Sequence, residues 1–92
     1  MIVACNFFSD VKTFTGTARE EFNINGPALS DLFAQLTKKF PGLTGNYFDA
    51  QGKPFNILMV VINGRHADIS RPETIILHEN DNIDLLTAVA GG

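Results

Sequence analysis

One stretch of the chain has the pattern of a helix and of nothing else. Between Ala28 and Phe40 the apolar residues Leu29, Leu32, Phe33, Leu36 and Phe40 return every three or four positions, which lays them along one stripe of a helix. Asp31 falls in the first turn and Lys38-Lys39 in the last, where the helix dipole favours those signs. Asn25-Gly26-Pro27 precedes the stretch and Pro41-Gly42 follows it, and because proline lacks an N–H and crowds the preceding turn, the helix has hard limits. A single amphipathic helix cannot bury its stripe alone. An apolar surface built from the rest of the chain must cover it.

The remaining segments are short and read as strands. Ile2 to Phe8 is apolar; Ser9-Asp10 then caps a short helical turn carrying Val11 and Phe14, and Gly16 ends it. Ala18 to Ile24 is a second strand with Phe22 and Ile24 towards the core and Arg19, Glu20 and Glu21 making it polar enough to face solvent on one side. Leu43 to Asn56 mixes Gly, Asn, Asp and Pro with Tyr47, Phe48 and Phe55, as in a long loop pinned by aromatics. Ile57 to Asn63 is apolar on both faces, which suits an interior strand, and Asn63-Gly64 is a tight-turn signal. Thr74 to Leu77 reads as a further short strand, Glu79-Asn80-Asp81-Asn82 as a turn, and Ile83 to Thr87 as the last strand. The order is ββα, long loop, ββ and a terminal strand. The expected fold is α+β, a mixed sheet whose first and last strands are neighbours with one main helix packed across one face: a β-grasp, or ubiquitin-like, architecture.

Ninety-two residues, 45% of them hydrophobic, suffice for one domain with one core. The net charge of −3 and the scatter of only seven Lys and Arg argue against nucleic acid, whose phosphates need clustered cations. Ile57 to Ile62, the longest apolar run, is too short to span a bilayer, so no membrane partner is expected. The N-terminus has no basic, then apolar, leader pattern, and the lone Cys5 has no internal disulfide partner, so a cytoplasmic location is expected. Cys5 alternates with Val3 and Phe7 and reads as core. His66 and His78 have no i, i+4 partner and no cysteine nearby, so no metal site is expected. Glu79, Asp81 and Asp84 read as a solvated turn and not as an acid/base cluster. No residue is assigned a catalytic role.

The functional clue is the last segment, Val89-Ala90-Gly91-Gly92, which runs off the terminal strand without charge, proline or bulk. Glycine has no Cβ and threads a channel closed to other residues. A division follows: residues 1–87 form the domain, and 88–92 form a flexible tail that at ~3.3–3.6 Å per residue reaches roughly 17 Å. Gly92 is the expected site of modification, Val89, Ala90 and Gly91 the inserting residues, and Leu85 and Thr87 members of a partner-docking face on the exposed side of the sheet. Its α-carboxylate, with a pKa of roughly 3.3–3.7, is anionic at neutral pH and needs activation before it can accept a nucleophile.

Four elements in order then carry a resemblance. Phe7-Phe8-Ser9-Asp10-Val11-Lys12 with Gly16, Val61-Ile62-Asn63-Gly64-Arg65, Asn80-Asp81 before Ile83, and the terminal Val89-Ala90-Gly91-Gly92 resemble the small sulfur carriers of the MoaD/ThiS type over essentially the whole chain. Many of those carriers have Pro-Pro where this chain has Thr87-Ala88, which removes two φ constraints from the tail. The resemblance implies adenylation of Gly92 by an E1-like adenylyltransferase using ATP and Mg²⁺, then displacement of AMP by sulfur to give a thiocarboxylate. The carrier itself would bind no cofactor. The strand-one motif favours a molybdopterin synthase large subunit as its sulfur-accepting partner; the alternative, which the Tyr47 to Phe55 loop suggests, is a pyridoxal-phosphate-dependent sulfhydrylase that takes the sulfur into cysteine or methionine. Thiamine or another thio-metabolite is a further destination, and a ubiquitin-like protein modifier a remoter one.

Overall fold

The computed structural model describes residues 1–87, and the tail assignments at Val89, Ala90, Gly91 and Gly92 lie outside the described residues. The elements are β1 (Ile2–Phe7), α1 (Ser9–Thr15), β2 (Arg19–Asn23), α2 (Leu29–Lys39), β3 (Leu58–Ile62), β4 (Arg65–His66) and β5 (Asn82–Thr87), with single 3-10 turns at Pro41–Leu43 and Pro72–Thr74. The sheet order is β2-β1-β5-β3-β4. β1 and β5 are parallel, and every other pairing is antiparallel. The chain thus has the β-grasp fold, with its first and last strands side by side at the centre.

Alternation along the strands sorts residues between two faces. Val3, Cys5 and Phe7 of β1, Leu58 and Val60 of β3, and Ile83 and Leu85 of β5 turn to α2, whose Leu29, Leu32, Phe33 and Leu36 complete the core. Each such Leu or Phe contributes roughly 1.5–3 kcal/mol by leaving water. The 43–56 loop closes the far side: Phe48 is fully buried and meets Phe33 edge-on at 4.9 Å, and Tyr47 is buried beside Phe14. Phe55, 37% exposed, does not pin the loop as expected. Asp49 does that work with its Oδ1, which accepts the N–H groups of Gln51 and Lys53 at 2.9 Å each.

The start of α2 follows from Asp31, whose carboxylate accepts the Ala28 N–H at 2.9 Å. Any Cβ at Gly26 would collide with that carboxylate, so the glycine before Pro27 is required by the cap. α1 ends at Gly16, whose φ of 74° is left-handed and whose N–H bonds Lys12 O at 2.8 Å.

One strand is misplaced by the sequence pattern. Thr74 belongs to a 3-10 turn begun by Pro72, and the backbone of Ile75 and Leu77 bonds the entry to α2, through Leu29 N–H to Ile75 O at 2.8 Å and Leu77 N–H to Pro27 O at 2.7 Å. The fourth strand is instead Arg65–His66, folded back on β3 by Asn63-Gly64 with φ of 50° and 84°. No helix among the described residues is long and apolar enough to cross a membrane.

Candidate functional site

β5 is the strand that carries the chain to position 88, and it lies at the centre of the sheet, paired on both sides. It bonds β1 on one side from Asn82 to Leu85 and β3 on the other from Asn82's neighbour Ile83 to Thr87. Ile83 and Leu85 are fully buried under α2. Leu85 therefore cannot belong to an exposed docking face, as the sequence suggested: it sits between Phe7 and Val60 in the core, and the period of two places Leu86 on the opposite side. Thr87, paired with the core residue Leu58, shares the inward register of Leu85 and is half-buried at the end of the strand, so it does not belong to the outward face either.

The outward face of the same strands offers a different set of residues. Leu86 pairs with Met59, and Val61 pairs with Asp84; all four are half-buried. Phe8 extends beyond β1 with φ −123° and ψ 162°, its N–H on Leu85 O at 3.0 Å and its side chain 48% exposed. These side chains form an apolar strip beside the exit of β5. A polar row borders it: Asn6 donates to Asn82 Oδ1 and Asp84 Oδ1, both at 2.9 Å, and Arg19 donates to Asn6 Oδ1 at 3.1 Å. The row fixes the Asp84 carboxylate beside the strip. Sequence reasoning missed Phe8, Met59 and Leu86, although the adjacent Phe7-Phe8 carried the signal: neighbours in a strand point to opposite faces, so one of the two aromatics had to be outside.

A second polar cluster stiffens the entry to β5. Asp81, the one buried charged residue described, accepts from Asn63 Nδ2 and from the His78 N–H at 2.8 Å each, while Asn63 Oδ1 takes the Asn82 N–H at 2.9 Å and the Asn63 N–H bonds Asn82 O at 2.8 Å. The Glu79 to Asn82 turn is thus a structural lock, only partly solvated, with Asn80 at φ 67° and its N–H on Ile2 O.

Cys5 is wholly enclosed, and burial pushes its thiol up to about 12 against a smaller downward pull from Arg19. A thiol so held does not act as a nucleophile near neutral pH. His66 and His78 are both exposed and line one groove with Asp81. Among the described residues no three His, Cys, Asp or Glu side chains are grouped to hold a metal ion.

What these described residues offer is a rigid base, a strand anchored on both sides, and an outward apolar strip next to the point where residue 88 begins. The model of the ThiS family matches residues 5–92. The chain belongs to the ThiS family. Small carriers of this ThiS kind are not themselves catalysts. Among solved structures, the chain is similar to SAMP1 of Haloferax volcanii, with a TM-score of 0.83, 20% identity and full coverage of both chains. It is also similar to a chain of the BexX/CysO complex of Amycolatopsis orientalis, with a TM-score of 0.73, 19% identity, and 98% and 99% of the two chains covered. A chain of the complex of subunits 1 and 2 of the molybdopterin-converting factor of Helicobacter pylori matches with a TM-score of 0.66, 24% identity and full coverage of both. At these identities the likeness establishes the fold. No curated protein sequence matches the chain.

Proposed function

We propose that the protein is a cytoplasmic sulfur carrier whose Gly92 carboxylate is adenylated by an E1-like adenylyltransferase with ATP and Mg²⁺, releasing pyrophosphate. A sulfur nucleophile then attacks the acyl carbon, AMP leaves, and a thiocarboxylate remains to donate its sulfur. The observation that carries the reading is the position of β5. In this ThiS-family chain the central strand β5 ends at Thr87, immediately before Ala88-Val89-Ala90-Gly91-Gly92 in the sequence, so a partner that grips the domain also fixes the point from which its acyl group is presented. The apolar strip of Phe8, Met59, Val61 and Leu86 is the surface the adenylating enzyme would grip.

For the destination of the sulfur we favour a molybdopterin synthase large subunit, on the strength of the Phe7-Phe8-Ser9-Asp10-Val11-Lys12 motif and the likeness to the Helicobacter pylori complex. The Tyr47 to Phe55 loop and the likeness to CysO support a second destination, a pyridoxal-phosphate-dependent sulfhydrylase or another thio-metabolite pathway. The likeness to SAMP1, a modifier by name, supports conjugation to lysines as a third reading.

The test is stepwise. The purified chain is incubated with an E1-like enzyme, ATP, Mg²⁺ and a sulfide source, and its intact mass is followed; the carrier reading requires exchange of one oxygen for sulfur at Gly92. The loaded protein is then offered a pterin precursor with a large subunit, or an activated serine or homoserine with a sulfhydrylase. Loss of the sulfur mass to one acceptor assigns the pathway. A product linked to a lysine side chain, with no thiocarboxylate formed, would replace the carrier reading by the modifier one.

A further inference from the structure

The sheet ends on β4, and this edge is left open. Antiparallel pairs alternate between hydrogen-bonded and non-bonded, and the Ala67 N–H to Val60 O bond of 2.9 Å fixes the phase. Val61 and His66 are therefore a non-bonded pair, so the N–H and C=O of His66 point away from the sheet. Ile76 is in the same situation on the other side. It is bridged to Ala28, but the bonds belong to its neighbours Ile75 and Leu77, which leaves its own N–H and C=O directed away from Ala28. Among the described residues, neither backbone group of Ile76 has a hydrogen-bond partner.

His66 and Ile76 line one groove of about 510 Å³. Ile62, Ala67 and Ile75 are half-buried along it and rest on the core, while the Ile76 side chain is 53% exposed. The groove thus offers apolar contact and backbone groups that want partners, the two things an added strand uses. Its rim carries Arg65, whose guanidinium has no hydrogen bond or ion pair among the described residues. Asp81 also lines the groove, but its two carboxylate oxygens are held by Asn63 Nδ2 and the His78 N–H and it makes no ion pair with Arg65. A second copy of the chain would bring its own Arg65 to this edge, like charge to like. A carboxylate placed at Arg65 meets an unpaired cation instead.

We propose that this groove is a strand-addition site for an extended, apolar segment of a partner protein that carries an acidic side chain. The backbone of the segment bonds His66, its apolar residues lie on Ile62, Ile75 and Ile76, and its carboxylate meets Arg65. The site lies at the β4 edge and is separate from the outward strip beside β5, so the domain can hold one partner there while another handles the tail.

The probe is an acetylated, amidated hexapeptide of sequence Thr-Val-Ile-Val-Asp-Glu, compared with a version carrying Lys in place of both acids. Amide signals of His66 and Ile76 should shift on titration with the acidic peptide, and their hydrogen exchange should slow about tenfold or more at saturation. Arg65→Glu should weaken binding roughly tenfold and reverse the preference between the two peptides. His66→Pro removes an edge N–H that no strand of the domain uses, so it should abolish binding with little change in thermal melting. Binding that survives His66→Pro in a folded variant, shifts confined to Met59 and Leu86, or no shift at His66 and Ile76 would each overturn the proposal. Concentration-dependent protection of His66 without peptide would assign the edge to a second copy and overturn it too.

Discussion

Replacing Leu85 by Ala separates the two faces of β5 by experiment. Leu85 is fully buried between Phe7 of β1 and Val60 of β3, beneath α2. The substitution removes three carbons, which at about 0.8 kcal/mol each amounts to roughly 2.4 kcal/mol of lost transfer energy. Strands bonded on both sides cannot close over the gap, so a cavity term adds to this and the cost becomes about 3–4 kcal/mol. For a domain of this size each kcal/mol moves Tm by roughly 4–8 °C, so the variant should melt about 12 °C or more below the parent. Leu86, one residue on, is only half-buried and faces outward. Leu86→Ala should cost about 1 kcal/mol or less. Urea and thermal unfolding of both variants give the stabilities, and titration with the adenylating enzyme gives the affinities. Leu85→Ala should lose stability and keep its affinity per folded molecule; Leu86→Ala should do the reverse. A Leu85→Ala variant of parental stability that no longer bound the enzyme would show that the faces have been assigned the wrong way round.

Other consequences are as specific. Gly91→Ala should leave the melt unchanged, since the sheet and core described are built within residues 1–87, and should abolish sulfur loading measured by intact mass; full loading would remove the side-chain-free channel from the account. Asn63→Ala strips two side-chain bonds from the Asp81 and Asn82 lock and puts a Cβ-bearing residue without that compensation at φ 50°, at a cost of about 2–3 kcal/mol in urea unfolding; Asn63→Gly keeps the turn and should recover part of it. Cys5 has a folded pKa near 12 against a reference of 9.0, so its contribution to stability is complete below pH 9 and is lost as pH rises towards 12, because the unfolded chain releases a proton that the folded one keeps. The slope is at most about 1.4 kcal/mol per pH unit. It should vanish in Cys5→Ala, and an equal slope in that variant would refute the assignment.

The fold was legible wherever a period was long enough to read. Leu29, Leu32, Phe33 and Leu36 spell a helix stripe, and Phe22 and Ile24 spell a strand face, because burial on one side imposes the spacing directly. Arg65–His66 was not legible. Two residues carry no period, and both side chains are exposed, so only the Asn63-Gly64 turn announced that the chain would fold back. Thr74 to Leu77 failed in the opposite way: its β-rich composition is that of a strand, but Pro72 turns the chain first and the bonds go to the helix entry. Leu85 failed for a subtler reason. Ile83, Leu85 and Leu86 are all apolar, so composition leaves the inward register open, and pairing with Phe7 and Val60 decides it.

That register also explains how one small domain serves two demands. The core needs Ile83 and Leu85, and the docking surface proposed above needs apolar side chains near the exit of the same strand; a period of two satisfies both by sending Leu86 outward next to Met59. A surface strip of this kind invites misassociation unless something restrains it. Here Asp84 and Asn6 sit in the same rows of the sheet, tied to Asn82 and Arg19, so any surface that covers the strip must also satisfy or tolerate a fixed carboxylate. A partner with a cation opposite Asp84 gains from that contact, and a second copy of this acidic chain does not. Asp84→Asn should therefore weaken binding of the adenylating enzyme while leaving the Asn6 bond in place, and an unchanged affinity would mean that the apolar strip alone selects the partner.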